Sequence, residues 1–171
     1  MNLPNLITMF RFLLIPIYGY MILQQKLYEA LAIVIIAGIT DVLDGYIART
    51  RKMVTTIGKM LDPLADKLLM IAVIVSFLYL EFIPWQAALA IFIREAGMII
   101  GSTVFHFRGY KTVPANWLGK LTTVLYYAAI LFFFLQLEFA VAYLWGVIAL
   151  SYITSVVYTL QFRSLNELRK E

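Results

Sequence analysis

Four aspartates lie within 27 residues of a chain that is otherwise very apolar. Asp41 and Asp44 are three residues apart, and Asp62 and Asp66 are four residues apart. On a helix, either spacing places both carboxylates on one face. Carboxylate oxygens are hard ligands that favour Mg²⁺, Mn²⁺ or Ca²⁺, and four anions share a low-dielectric site only when cations offset them. The aspartates therefore predict a metal site, with room for two divalent ions that act on a phosphate group.

Small residues and an arginine accompany the first aspartate pair. Gly45, Ala48 and Arg49 follow Asp41 at helical spacings that keep them on its face, and Gly58 starts the second aspartate face. Small residues usually let membrane helices pack closely, but beside carboxylates they also leave space for a flat or phosphorylated ligand. Arg49 has two interpretations: a clamp on a phosphate, or a side chain that snorkels to the membrane interface.

The composition predicts an integral membrane protein. Of the 171 residues, 63% are apolar and 14% are charged, whereas a soluble domain has about 25% charged residues. The mean hydropathy is +0.85. The chain has no cysteine, which excludes disulfides, thiolate metal sites and a cysteine nucleophile. The net charge of +4 points to anionic lipid headgroups and not to nucleic acid, and the length fits a single domain over 1–171.

Six stretches approach the roughly 20 apolar residues that a membrane span needs. They predict an all-α, polytopic membrane protein with six transmembrane helices, preceded by a short N-terminal segment. The first span has no basic leader or cleavage site and is expected to stay uncleaved. The breaks between spans are short, so neighbouring helices should be antiparallel, and the aspartate faces of the second and third spans can meet. The predicted spans are 6–24, 29–50, 57–80, 83–106, 116–137 and 139–162.

Basic residues alternate between the two sides of these spans. Arg51 and Lys52 follow the second span and Arg108 and Lys111 follow the fourth, whereas the opposite side has only Lys26. Because Lys and Arg accumulate in cytoplasmic loops, both termini are predicted on the cytoplasmic side of the cell membrane. The four aspartates then lie in the cytoplasmic leaflet, where an isolated charge would be costly and a shared polar cavity is favoured.

The aspartates, small residues and arginine together resemble the signature of the CDP-alcohol phosphotransferases. The resemblance covers essentially the whole chain, but it is specific only over residues 2–67. It implies an enzyme that splits a CDP-linked lipid such as CDP-diacylglycerol, transfers the phosphatidyl group to an alcohol and releases CMP. The matching positions are Asp41, Asp44, Gly45, Ala48, Arg49, Gly58, Asp62 and Asp66.

The resemblance also assigns roles to individual residues. Asp41, Asp44 and Asp62 match metal ligands, and Asp66 matches the aspartate that both contacts metal and acts as general base. The metal is expected to be Mg²⁺ or Mn²⁺, bound as two ions because a cluster of four carboxylates can hold a pair. The positions expected around the CDP-diacylglycerol nucleotide are Asn5, Thr8, Gly45, Ala48, Arg49, Thr55 and Gly58.

Asn5 and Thr8 also have a purely structural interpretation. Both lie in the segment Asn2–Thr8, which resembles the family's approach to the first span. An asparagine next to a proline often caps or turns the chain before a helix. The segment therefore predicts either a nucleotide contact or a helix cap.

The acceptor alcohol is predicted from basic residues of the later spans: Arg94, Arg108, Lys111 and Lys120. They form either an anion pocket for a phosphate-bearing alcohol, or ion pairs within the bundle and loop charges that set the topology. The opening stretch resembles the bacterial branch that makes phosphatidylglycerol phosphate or cardiolipin, although Ala96 stands where the former typically has Phe. Glycerol 3-phosphate is the first expected acceptor, phosphatidylglycerol the next, and inositol phosphate or serine follow.

An ion-coupled transporter is the alternative from a different class. Intramembrane carboxylates also mark ion pathways, and transporter helices are often broken at mid-membrane. Pro63 offers such a break in the third span. For either class the partners are membrane lipids, and the family resemblance adds a homodimer as an expected assembly.

Overall fold

The structure is a computed structural model that describes residues 3–50, 56–107 and 117–167. Six α-helices and no strand occur in these ranges, which confirms the all-α prediction. The helices are α1 (Leu3–Leu23), α2 (Leu27–Thr50), α3 (Thr56–Tyr79), α4 (Trp85–Phe107), α5 (Trp117–Phe134) and α6 (Ala140–Glu167). The description covers the backbone alone at residues 3–5, 44–45, 48–49, 56–60, 62–63, 102, 105–107, 163, 165 and 167.

Three of the described helices are long and apolar enough to cross a membrane, by length and composition, where the sequence analysis predicted six. The other helices carry charges in their central parts, such as Asp41 in α2, Asp66 in α3 and Arg94 in α4. Charged residues lower the hydropathy of a segment, so these helices depend on partners for their charges. The three candidate spans are Leu6–Leu23, Trp117–Phe134 and Ala140–Phe162.

The predicted N-terminal segment is already helical. From its third residue the chain forms α1, so no separate segment precedes this helix within the described part. A proline in the first turn is tolerated because its missing N–H would have no helical acceptor there, and Pro4 occupies that turn. A second proline, Pro16, lies inside α1, where neighbouring side chains can compensate for the lost hydrogen bond.

The structure divides into two compact units, Met1–Leu80 and Glu81–Glu171. In the first unit, α1 packs against both α2 and α3, whereas α2 and α3 contact each other little among the described residues. The buried face of α1 recurs every three or four residues, as an amphipathic helix requires. It consists of Thr8, Arg11, Leu14, Tyr18 and Ile22.

In the second unit, α6 packs against both α4 and α5. Hydroxyl groups mark the contact between α5 and α6: Tyr126 donates to the Ser151 hydroxyl at 3.1 Å, and the Thr122 and Thr154 hydroxyls are 3.1 Å apart. Tyr152 of α6 donates to the backbone carbonyl of Ala90 in α4 at 2.9 Å. Hydroxyl contacts of this kind hold helices together in an apolar environment.

Tight turns join α1 to α2 and α5 to α6. Gln25 and Gln136 adopt left-handed φ angles of 56° and 53° at these helix ends. At each end, two backbone amides donate to carbonyls of the last helical turn. For example, the Lys26 N–H donates to the Met21 carbonyl of α1 at 3.0 Å. This is the Schellman arrangement. It reverses the chain within a few residues and makes the joined helices antiparallel, as predicted.

Tyr18 links α1 to α3 through a buried hydrogen bond. Its hydroxyl lies 2.5 Å from that of Ser76, which donates to the Val73 carbonyl at 2.8 Å, so Tyr18 is the donor in the pair. We expect Tyr18→Phe to lower the free energy of unfolding by about 1 kcal/mol, because one interhelical hydrogen bond is lost while Ser76 keeps a partner. Unfolding in mixed detergent micelles measures this.

The matched control is Tyr20→Phe on the same helix, since Tyr20 is 58% exposed. It removes the same hydroxyl where lipid or detergent surrounds the ring. Equal stability of the two variants would contradict the assigned role of the Tyr18 hydroxyl.

Candidate active site

Asp41 lies on the buried face of α2. Counting back from it at helical spacing, Ala37, Val34 and Ala30 are all buried. An aspartate at this position points toward protein and needs a polar partner. The partner is Arg11 of α1, whose Nη1 donates to Asp41 Oδ1. The Arg11 side chain is 4% exposed and the Asp41 side chain is 43% exposed, so the cation is buried while the carboxylate stays accessible.

The Arg11–Asp41 pair also fixes the register of the first two helices. Since α1 and α2 are antiparallel, a residue three positions before Arg11 lies level with a residue three positions after Asp41. These residues are Thr8 and Asp44. Thr8 is fully buried on the face of α1 that holds Arg11. The backbone thus places two predicted site positions, one for nucleotide and one for metal, at the same height in the bundle.

Asp66 lies on α3, beside the buried Ala65 and at helical spacing from the buried Val73 and Phe77. Its side chain is half-buried. Because α1 packs against both α2 and α3, the two helices that carry the aspartates are held against the same third helix. The sequence analysis expected the α2 and α3 faces to meet directly; in the described residues α1 provides most of their contact surface.

The remaining predicted residues of this region lie outside the described side chains or outside the described backbone. Within the described side chains, no group of three or more His, Asp or Glu could hold a metal ion. Two of the four predicted carboxylates, Asp41 and Asp66, are thus located, and the complete metal site stays a prediction. Thr55 lies outside the described backbone, and the side chains that are not described are those of Asn5, Asp44, Gly45, Ala48, Arg49, Gly58 and Asp62.

The predicted acceptor residues belong to the second unit. Arg94 of α4 forms an ion pair with the adjacent Glu95, and both side chains are largely buried, at 14% and 15% exposure. Lys120, in the first turn of α5, is exposed. No direct packing between α4 and α5 is found among the described residues. Arg94 thus has the local ion pair that the sequence analysis weighed against an anion pocket; Arg108 and Lys111 lie outside the described residues.

The Arg94 guanidinium nevertheless keeps an unused donor. Its Nε is buried and has no hydrogen-bond partner within the described part of the chain. A buried N–H without an acceptor is costly, so this group is suited to receive an acceptor oxygen from outside the described residues. Arg94 therefore combines an ion pair with Glu95 and a buried Nε–H group that donates to no described residue.

Comparison with known proteins decides the family. A sequence model described as CDP-alcohol phosphatidyltransferase matches residues 1–157, nearly the whole chain. The chain belongs to the CDP-alcohol phosphatidyltransferase family. This confirms the resemblance that the spacing of the four aspartates indicated, and a transferase description favours the enzyme prediction over the transporter alternative.

Relatives within the CDP-alcohol phosphatidyltransferase family carry two different names. The cardiolipin synthase (CMP-forming) of Rattus norvegicus is 40% identical over 114 residues, which are 66% of this chain and 37% of that protein. The cardiolipin synthase (CMP-forming) of Streptomyces coelicolor is 29% identical over 129 residues, 72% of this chain and 60% of that protein. The probable phosphatidylglycerophosphate synthase of Mycobacterium tuberculosis is 34% identical over 168 residues, 92% of this chain and 79% of that protein.

The chain therefore spans less than two thirds of the length of these two cardiolipin synthases, at 37% and 60%. Family membership and three helices that are long and apolar enough to cross a membrane indicate a multi-pass membrane protein. The relatives' names divide between two products, cardiolipin and phosphatidylglycerophosphate, so the family alone leaves the acceptor alcohol open.

One contact was missed by sequence reasoning, the ion pair between Arg11 and Asp41. The sequence analysis assigned no role to Arg11. The available signal was that Arg11 is the one charged residue of α1 and follows Thr8 by three positions. A solitary arginine in an apolar helix implies a buried counter-charge, and in the antiparallel pairing of α1 with α2 that counter-charge is Asp41.

Proposed function

We propose that this CDP-alcohol phosphatidyltransferase transfers the phosphatidyl group of CDP-diacylglycerol to glycerol 3-phosphate, giving phosphatidylglycerol phosphate and CMP. The observation that carries the choice of acceptor is the match to the Mycobacterium tuberculosis probable phosphatidylglycerophosphate synthase, which extends over 92% of this chain and 79% of that relative. A match of that extent includes the later helices, from which the acceptor site is expected to be built.

The carboxylate oxygens of the aspartates are suited to bind a pair of Mg²⁺ or Mn²⁺ ions. Asp41 and Asp66 offer accessible or half-buried carboxylates on helices that pack against α1, and Asp44 and Asp62 would complete the ligand set. Hard oxygen ligands favour these cations. When bound, the ions supply positive charge that offsets the pyrophosphate and the departing CMP.

Proton transfer and nucleotide binding are assigned to protein side chains. Asp66 takes the proton of the acceptor hydroxyl as general base. The hydroxyl oxygen bonds to the phosphorus that carries diacylglycerol, and the bond from that phosphorus to the bridging oxygen breaks, its electron pair leaving with CMP. Direct in-line attack needs no covalent enzyme intermediate. The nucleotide is held by Asn5, Thr8, Gly45, Ala48, Arg49, Thr55 and Gly58.

The acceptor phosphate would be received by Arg94, Arg108, Lys111 and Lys120. The unused Nε of Arg94 supports its inclusion, because a buried guanidinium donor can bind a phosphate oxygen. We further propose six transmembrane helices, with both termini and the active site on the cytoplasmic side, since the basic residues accumulate there. A homodimer is the assembly that the family resemblance suggests.

Cardiolipin synthesis is the second candidate. The 40% identity to the rat cardiolipin synthase over 114 residues favours it. The acceptor would then be phosphatidylglycerol, whose free hydroxyl group attacks the same donor. The chemistry at Asp66 would be unchanged, and only the acceptor pocket would differ.

An acceptor panel tests this proposal. The purified enzyme in detergent receives CDP-diacylglycerol and Mg²⁺ or Mn²⁺ with glycerol 3-phosphate, phosphatidylglycerol, inositol phosphate or serine in turn, and CMP is measured. We expect release with glycerol 3-phosphate, its loss on chelation by EDTA and its return when the metal is restored. Release with phosphatidylglycerol alone would assign cardiolipin synthesis, and release with none of the four would overturn the enzyme assignment.

A further inference from the structure

We propose that Arg11 is a positioning residue for the metal site: it holds one oxygen of Asp41 and so presents the carboxylate to a divalent cation. The inference rests on the proposed function, because it assumes that Asp41 is a metal ligand. It adds a residue of α1 to a site that was predicted entirely from α2 and α3. Arg11 would touch neither substrate nor metal and would act through Asp41.

The burial of Arg11 is the first step. It is the only charged residue of α1, and its side chain is 4% exposed. An arginine buried in an apolar bundle is costly unless it is paired and hydrogen-bonded. Its location is therefore set by the carboxylate that it meets and not by a need for solubility.

The unequal exposure of the two partners is the second step. The Asp41 side chain is 43% exposed although its partner is buried. The described contact uses Nη1 of Arg11 and Oδ1 of Asp41. A carboxylate held at one oxygen from the protein side, with much of its surface open, has the form of a metal ligand oriented by an outer partner.

The charge balance is the third step. Four carboxylates that converge need positive charge to stay ionised, and a fixed arginine supplies part of it without occupying the place of a metal. Arg11 also belongs to the face of α1 that contains Tyr18, two turns further along, which binds Ser76 of α3. One helix thus anchors α2 by an ion pair and α3 by a hydrogen bond.

Mn²⁺ binding tests the role of Arg11 without relying on activity. The detergent-solubilised enzyme is titrated with Mn²⁺, and the free ion is followed by electron paramagnetic resonance. We expect Arg11→Gln to weaken Mn²⁺ affinity about 10- to 100-fold, the usual effect of removing an outer partner of a metal ligand. Arg11→Lys should recover part of the affinity, because lysine keeps the charge but loses the planar guanidinium.

The matched control is Lys26→Gln, which removes the same charge from an exposed position in the turn between α1 and α2. It should leave Mn²⁺ affinity unchanged. In an Asp41→Asn background, Arg11→Gln should cause no further loss, because Arg11 acts through Asp41. Circular dichroism monitors folding, and Arg11→Lys carries the test if Arg11→Gln does not fold.

Two results would overturn the inference while leaving the proposed function intact. One is wild-type Mn²⁺ affinity in Arg11→Gln. The other is that Arg11→Gln lowers Mn²⁺ affinity as much in the Asp41→Asn background as it does in the wild-type protein. In both cases the wild-type enzyme still binds Mn²⁺ and releases CMP. A wild-type enzyme that neither binds Mn²⁺ nor releases CMP would remove the proposed function, and the inference with it.

Discussion

Asp66→Asn is expected to lower the rate of CMP release by about 100- to 10,000-fold, the range that a general base contributes. Asparagine has nearly the same shape as aspartate, but it cannot accept the proton of the attacking hydroxyl. Asp66 is half-buried and lies next to the buried Ala65, so a substitution of equal size should leave the packing of α3 unchanged. Binding of CDP should largely persist, because the nucleotide contacts are assigned to other residues.

Two measurements separate the base from the ligand role of Asp66. CMP release is followed at saturating acceptor, and CDP binding is followed by isothermal titration calorimetry. Glu29→Gln makes the same carboxylate-to-amide change at an exposed position in the first turn of α2 and should leave both quantities unchanged. Full turnover in Asp66→Asn would show that the base assignment is wrong, whereas joint loss of turnover and CDP binding would assign Asp66 to metal and nucleotide binding instead.

The helices and the chemical family could be predicted from the sequence because both depend on local patterns. Runs of apolar residues fix where helices form, and the spacing of Asp41, Asp44, Asp62 and Asp66 places carboxylates on helix faces without knowledge of the tertiary structure. The family match over residues 1–157 confirms the family that this spacing resembles. Six membrane spans were a stronger prediction than hydropathy alone supports, since α2, α3 and α4 need internal partners for their charges.

The packing of the first unit could not be predicted in the same way. A short connection suggested that α2 and α3 pack directly, but among the described residues α1 takes most of the contact with both. Which helix fills the space beside a polar face depends on side-chain fit over long sequence separations, as in the Arg11–Asp41 pair, whose members are 30 residues apart. Helical periodicity shows that each of these residues faces inward; it does not show which inward faces meet.

The start of α1 illustrates a smaller difference. The motif around Asn5 and Thr8 was expected to precede the first helix, because asparagine and proline often cap or turn a chain. Proline in a first turn is equally compatible with helix, and local sequence does not decide between these outcomes. The burial of Thr8 favours the continuous helix, since it extends the inner face of α1 by one turn.

Arg94→Gln is expected to destabilise the protein by about 3 kcal/mol, because it leaves the largely buried Glu95 carboxylate without this arginine. Converting both members, as in Arg94→Gln with Glu95→Gln, should recover most of the stability, since neutral amides carry a far smaller cost of burial. Unfolding in mixed micelles measures both variants. Lys120→Gln, on an exposed residue, should change stability by no more than about 0.5 kcal/mol.

The double variant then separates the structural role of Arg94 from a role in acceptor binding. If Arg94 binds the acceptor phosphate, the folded double variant has a raised KM for glycerol 3-phosphate while its KM for CDP-diacylglycerol is unchanged. Loss of one charge-assisted hydrogen bond of about 1.5–3 kcal/mol corresponds to a rise of roughly 10- to 100-fold. Unchanged values of both constants would restrict Arg94 to its ion pair with Glu95. The acceptor phosphate would then have to be bound by the remaining predicted cations, Arg108, Lys111 and Lys120.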